Sequence, residues 1–132
     1  MEPTENGKEI DRIIKNITNE MKAYFGTDEK RIEHANAVFD FAEEIMLVEG
    51  GDELIVGAAA LLHDIGIHEA ERKHNSTAGK YQELEGPPIA EKILNKNKLD
   101  KKKAEHICRI IANHHSASNI NTLEFKIIWD AD

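Results

Sequence analysis

The stretch Leu61-Leu62-His63-Asp64-Ile65-Gly66 decides how this chain is read. It closes a run of small and aliphatic residues that begins at Leu54, and it sets a histidine beside a carboxylate where an apolar segment ends. Carrying such groups unpaired into a core costs roughly 2–7 kcal/mol for a neutral group and more for a charge, so an ordinary core helix avoids them. A bound cation reverses that penalty, and His and Asp are common nitrogen and oxygen ligands of divalent metals. Neighbours on a helix point about 100° apart, which lets the pair hold one ion or bridge two.

The 132 residues are expected to form a single domain, large enough to bury a core without staples. Hydrophobic residues make up 40% and charged residues 32%, the balance of a soluble protein. A formal charge of −8 argues against general nucleic-acid binding, which needs clustered Lys and Arg for the phosphates. A small anionic substrate stays open, attracted by a metal and a few local cations. The lone Cys108 excludes an internal disulfide and fits a reducing cytoplasm, the expected location. The polar start, Met1 to Lys8, does not resemble a signal peptide, and no run approaches 18 apolar residues, so no membrane association is expected.

Outward from the central stretch, the pattern is helical throughout. Residues 1–7 carry Pro, Gly and acids without an apolar period and are read as a loose terminus. Ile10, Ile13, Ile14, Ile17, Met21 and Tyr24 then mark an amphipathic helix ending at Gly26. Thr27 is read as the cap of a second helix, whose stripe runs through His34, Ala37, Val38, Phe41, Ile45 and Val48. Gly50-Gly51 breaks it, and Asp52 caps a third helix reaching about Asp64, with Gly66 expected to stop it in a left-handed turn. Residues 67–86 are polar with a weak period, and are read as a partly ordered loop and candidate substrate lid. Pro87-Pro88 suits the first turn of the next helix, with Ile89, Ala90, Ile93 and Leu94 on its buried face. Asp100 caps another, carrying Ala104, Ile107, Ile110, Ile111 and His114 on one side, and Leu123 to Asp132 forms the last. With no strand-like alternation and no internal repeat, the fold class is all-α, a compact bundle of five or six helices.

Four places carry side chains suited to chemistry. His34 shares a face with Val38, Phe41 and Ile45; His63-Asp64 ends the third helix; His114 lies in line with Ile107, Ile110 and Ile111, with His115 along the Cys108 edge; and Asp130 and Asp132 stand on an otherwise apolar last helix. A lone histidine on an apolar face is ordinarily a packed core residue. Three separate helices that each direct a His or Asp from an apolar face are what a metal site in a helical bundle requires, because its ligands must converge from different elements. Helical phase leaves open which of Asp130 and Asp132 takes part.

The order His34, then His63-Asp64, then an Asp in Trp129-Asp130-Ala131-Asp132 resembles the HD-domain metal-dependent phosphohydrolase superfamily, named for its His-Asp doublet. The segment HDIGIHEAERKHNSTAGKYQELEGPPIA looks like a bacterial and archaeal subgroup of predicted hydrolases. The resemblance covers the second to the last helix. It implies metal ligation by His34, His63, Asp64 and Asp132, the last chosen over Asp130 because the family ligand is the Asp of an Ala-Asp pair. Family members normally continue beyond this helix, so a truncated C-terminus is expected.

What the resemblance implies about activity is a metal-dependent hydrolase that acts on a phosphate ester, whether phosphomonoester, phosphodiester or nucleotide, through a metal-activated water. The cofactor would be a divalent ion (Mn, Mg, Fe, Co, Ni or Zn), one or two per chain. Relatives with more than one ion recruit further histidines, which makes His114, and after it His115 or His68, candidates for a second. Asp64 sits at the catalytic centre. Arg31, one turn before His34, and Lys80, with Arg72 and Lys73 in the polar segment, are candidates for a substrate phosphate; Glu69 resembles a position where some relatives place a catalytic acid. Two alternatives share the scaffold: a di-iron oxygenase, and a non-catalytic module binding a nucleotide or partner. The sequence does not specify the oligomeric state.

Overall fold

The computed structural model describes residues 3–117 and 119–132. Among them are seven helices and no strand: α1 (Pro3–Phe25), α2 (Glu29–Glu49), α3 (Glu53–Leu62), α4 (Ile67–His74), α5 (Gly79–Lys96), α6 (Lys101–Asn113) and α7 (Leu123–Ala131). The all-α expectation holds, and the count of five or six is corrected to seven.

Helix α3 is the element the others surround. Every residue from Leu54 to Leu62 is buried, so this helix is apolar on all sides, the pattern of a central core helix. Its start is fixed by Asp52, whose Oδ1 accepts the N–H groups of Leu54 (3.0 Å) and Ile55 (2.9 Å). Helices α1, α2, α6 and α7 pack on it, and α5 pairs with both α4 and α6. Ile13, Ile17, Met21 and Phe25 form the buried side of α1, which begins at Pro3 and so takes in most of the terminus read as loose.

The α2 stripe needs a correction. The residues of α2 seated in the core are Ala35, Val38 and Ala42, while Phe41 and Val48 stand 55% and 83% exposed. Small residues facing a wholly apolar helix allow the two axes to approach closely, so packing selected the alanines over the bulkier side chains beside them.

The segment read as a loop is helical. Helix α4 buries Ile67 and Ala70, places Arg72, Lys73 and His74 in its last turn where the dipole favours cations, and ends at Asn75 in a left-handed conformation, φ 54°. Helix α5 begins at Gly79 and runs through both prolines instead of starting at them. Pro87 and Pro88 deprive the carbonyls of Glu83 and Leu84 of their helical donors, and this stretch of α5 carries the 59% exposed Leu84.

Gly66 does not make the left-handed turn expected of it: its φ is −86°. Its role is close approach. A Cβ there would lie 2.4 Å from the Gly86 nitrogen and 2.7 Å from the Gly86 Cα, so the turn after α3 rests backbone to backbone on α5. Helix α7 is tied at both ends, with the Glu124 carboxylate accepting the Asp52 N–H (3.0 Å) and Asp132 reaching His34 (3.0 Å), so it runs antiparallel to α2. None of the helices is long and apolar enough to cross a membrane among the described residues.

Candidate metal centre

The centre is built on the ends of helices. The last carbonyls of a helix lack intrahelical donors, and two histidines just past such ends use them. His63, following α3, donates its Nδ1–H to the Ala60 carbonyl (2.7 Å); His114, following α6, donates its Nδ1–H to the Ile111 carbonyl (2.6 Å). Each bond fixes the ring so that Nε2 faces inward, the backbone counterpart of the supporting contacts that orient metal-bound histidines. His63 is fully buried and His114 nearly so.

Helix α2 brings His34 and the end of α7 brings Asp132 to the same point. His34 Nε2 lies 3.0 Å from Asp132 Oδ1, 3.3 Å from His63 Nε2 and 3.5 Å from Asp64 Oδ2. His63 Nε2 lies 3.4 Å from Asp64 Oδ2 and 3.6 Å from Asp132 Oδ1. On the other side of the same carboxylate, Asp64 Oδ1 is 3.3 Å from His114 Nε2, and the His115 ring packs on His114 with centroids 3.9 Å apart. The donor atoms therefore fall into two groups, His34 with His63 and Asp132, and Asp64 with His114 and His115. Asp64 faces both, one oxygen to each.

The donor set fits a divalent ion. Ligand bonds of about 2.0–2.2 Å put neighbouring ligand atoms about 2.8–3.6 Å apart in octahedral or tetrahedral arrangements, and the 3.0–3.6 Å separations fall in that range. Imidazole nitrogen and carboxylate oxygen are the donors that such ions take. The electrostatics agree. Burial would raise the Asp64 carboxyl, but the hydrogen bond with His114 and the charges of the surrounding histidines hold it far below the ordinary range. Asp132 is also lowered, chiefly by its polar contact with His63 against the opposing effect of burial. Burial disfavours a charged His63, yet the contact with Asp132 and the Asp64 charge outweigh it and raise its pKa. Two anionic oxygens in a half-dry pocket draw positive charge towards them.

The structure thus brings His34, His63, Asp64, His114 and Asp132 together, and it places Asp132 rather than the exposed Asp130 beside His34. Arg31 is half-buried one turn before His34, with its N–H donated to Asp28. Lys80 is exposed, its Nζ 4.9 Å from the centroid of the Tyr81 ring. His68 donates to Asp28 (2.7 Å), packs edge-on against Phe25 and joins neither donor group. Glu69 accepts two bonds from Arg72 (2.6 and 2.9 Å), which lower its pKa, and it joins neither donor group. Burial and Glu91 push the Cys108 thiol up to about 11, which disfavours the thiolate.

Gln82, Glu83 and Gly79, which surround His115, escaped the sequence reading because they fall in the segment taken for a loop. Their only signal was a glycine and two polar residues one helical turn apart.

A family model described as HD domain matches residues 31–132. No curated protein and no solved structure matches the chain significantly. The matched span begins at Arg31, one turn before His34, and ends on Asp132, taking in every donor of both groups. The chain therefore belongs to the HD-domain family of the metal-dependent phosphohydrolase superfamily.

Proposed function

We propose that this protein is a metal-dependent hydrolase of a small phosphate ester, with His34, His63, Asp64 and Asp132 holding one divalent ion and Asp64, His114 and His115 a second. The observation that carries this reading is the Asp64 carboxylate between two donor groups, with Oδ2 towards His34 and His63 and Oδ1 towards His114. A divalent ion bound there supplies Lewis acidity, making a water nucleophilic near neutral pH and offsetting charge on a phosphoryl oxygen.

The chain's own residues do the rest. The Ala60 and Ile111 carbonyls keep His63 and His114 in the tautomer that leaves Nε2 as the inward donor. Asp64 and Asp132 stay anionic at neutral pH, so the two carboxylates would offset part of the charge of the bound ions. His34 and Asp132, with side chains 39% and 26% exposed, open the first group to solvent and hence to a substrate, whereas His63 closes its floor. Arg31, on the turn before His34, is assigned to a substrate phosphate, because a guanidinium binds phosphate oxygens in a fork. Lys80, on the first turn of α5, is given the same task.

The test is metal analysis of protein purified without added metal, followed by a screen of phosphomonoesters, phosphodiesters and nucleotides with Mn²⁺ or Mg²⁺. Hydrolysis of one class, and loss of metal in His63→Ala, is the expected result. Unchanged metal content in that variant overturns the site. A coloured protein with two irons per chain, oxygen consumption and no esterase activity replaces the hydrolase with a di-iron oxygenase.

A further inference from the structure

His115 differs from His63 and His114 in how it is held. Among the described residues no carbonyl of its own helix end accepts from it; its hydrogen bonds come from α5. Its ring Nε2 is 3.3 Å from Gln82 Oε1, and the Gln82 amide is itself oriented, because its Nε2–H₂ donates to the Thr77 carbonyl at 2.7 Å. With the amide nitrogen turned to Thr77, the oxygen must face His115, and an oxygen accepts only from an N–H. The imidazole proton is thereby drawn to Nε2, which leaves Nδ1 as the lone-pair nitrogen.

Three further contacts fix the ring. Glu83 Oε2 accepts the backbone N–H groups of His115 and Ser116, each at 2.8 Å. Gly79 packs under the side chain so closely that a Cβ there would lie 2.8 Å from His115 Cβ and Cγ. The His114 ring covers another side at 3.9 Å. Gln82 is only 7% exposed, although it bonds to a residue on the surface. Burying an amide to orient a surface histidine has no packing rationale unless the direction of that ring matters.

We infer that Gln82 is a positioning residue which, through the Thr77 carbonyl, sets His115 to present Nδ1 to an ion shared with Asp64 and His114, whereas His34 and His63 would use Nε2 on the first. This rests on the two-ion reading above. It also assigns a role to residues 79–83: the start of α5 is a rigid support for one ligand and not a mobile lid.

The proposal is tested in the metal-free protein by long-range ¹⁵N–¹H correlation of the histidine rings above neutral pH. His63 and His114 are expected as Nδ1–H tautomers and His115 as Nε2–H. Manganese titration by calorimetry is expected to give two ions for the wild type. In Gln82→Met, which keeps the volume and removes both hydrogen bonds, the second ion should bind about 10–100-fold more weakly while the first is unaffected. Gly79→Ala, which pushes the ring from the opposite side, gives the same pattern by another route if Gln82→Met fails to fold. An Nδ1–H tautomer for His115 in the wild type overturns the inference. So does a second-ion affinity within about twofold of wild type in a folded Gln82→Met. A wild type that binds a single ion overturns the two-ion reading and the inference together. Neither measurement involves hydrolysis, so a failed ester screen refutes the proposed activity and leaves this result standing.

Discussion

Gly66→Ala is the sharpest single perturbation of this architecture. The added Cβ would lie 2.4 Å from the Gly86 nitrogen, 2.7 Å from its Cα and 3.0 Å from the Gln82 carbonyl oxygen. The shortest ordinary contact of a Cβ is 3.4 Å, so α5 must retreat from the turn after α3 by about one ångström. All three neighbours are backbone atoms, and no rotamer change relieves them. Overpacking of this kind costs roughly 1–3 kcal/mol. The retreat also carries Gln82 and its hold on His115 away from Asp64. Displacements near 1 Å at a reacting centre cost on the order of 100-fold in rate. Gly86→Ala is the internal comparison. Its Cβ would meet the Ile111 Cγ2 at 2.9 Å, a side-chain methyl, and stay 3.7 Å from the Gly66 nitrogen. Urea unfolding of both variants, with the denaturant slope checked for constancy, should show Gly66→Ala the more damaging. Gly66→Ala within about 0.5 kcal/mol of wild type, a change typical of an inconsequential surface substitution, refutes the close-approach argument.

Two further outcomes follow from the same geometry. Asp52→Ala removes the acceptor of two N–H groups at the start of α3 and should cost about 1–2 kcal/mol at neutral pH. Burial would raise the Asp52 carboxyl, but the Ile55 N–H and the Lys103 ammonium outweigh it, so its folded pKa is lowered. That stabilisation is present above the unfolded value of about 3.9 and is lost as the pH falls through the lower folded one. The gap between Asp52→Ala and wild type in urea unfolding should therefore close in acid; a gap that widens there contradicts the assignment. Divalent metal at a hundredfold excess over its dissociation constant should stabilise the native protein by about 2.7 kcal/mol, roughly 10 °C in Tm by thermal scanning. His63→Ala should lose the part of this rise that the first ion supplies, and an equal rise in that variant places the ion elsewhere.

Local chemistry was legible in the sequence. The caps at Asp52 and Asp100, the apolar faces of α1 and α6, and the convergence of His34, His63-Asp64, His114 and Asp132 all depend on residues whose preferences act over a turn or less, or on a pattern that belongs to the HD domain. Where the reading slipped, the deciding interaction was long-range. The apolar stripe through Phe41 and Val48 has the right period, yet its phase is set by how closely α3 can approach Ala35 and Ala42. Residues 67–86 bury few apolar side chains of their own. Their helices draw support from each other and from α6, which no window of sequence contains.

The sequence by itself determined that this is a helical protein with imidazole and carboxylate side chains suited to a metal at a fixed order along the chain, because helix periodicity and donor chemistry are properties of residues. Only the tertiary structure decided how those donor atoms divide. Asp64 faces two donor groups because the ends of α3 and α6 arrive side by side, each with a histidine locked by its own last carbonyls. Gly66 is a contact surface and not a turn, because α5 lies against it. His115 meets Gln82, thirty-three residues earlier, at 3.3 Å. A side chain's donors are written in the chain; the direction in which they point is set by whatever packs around them.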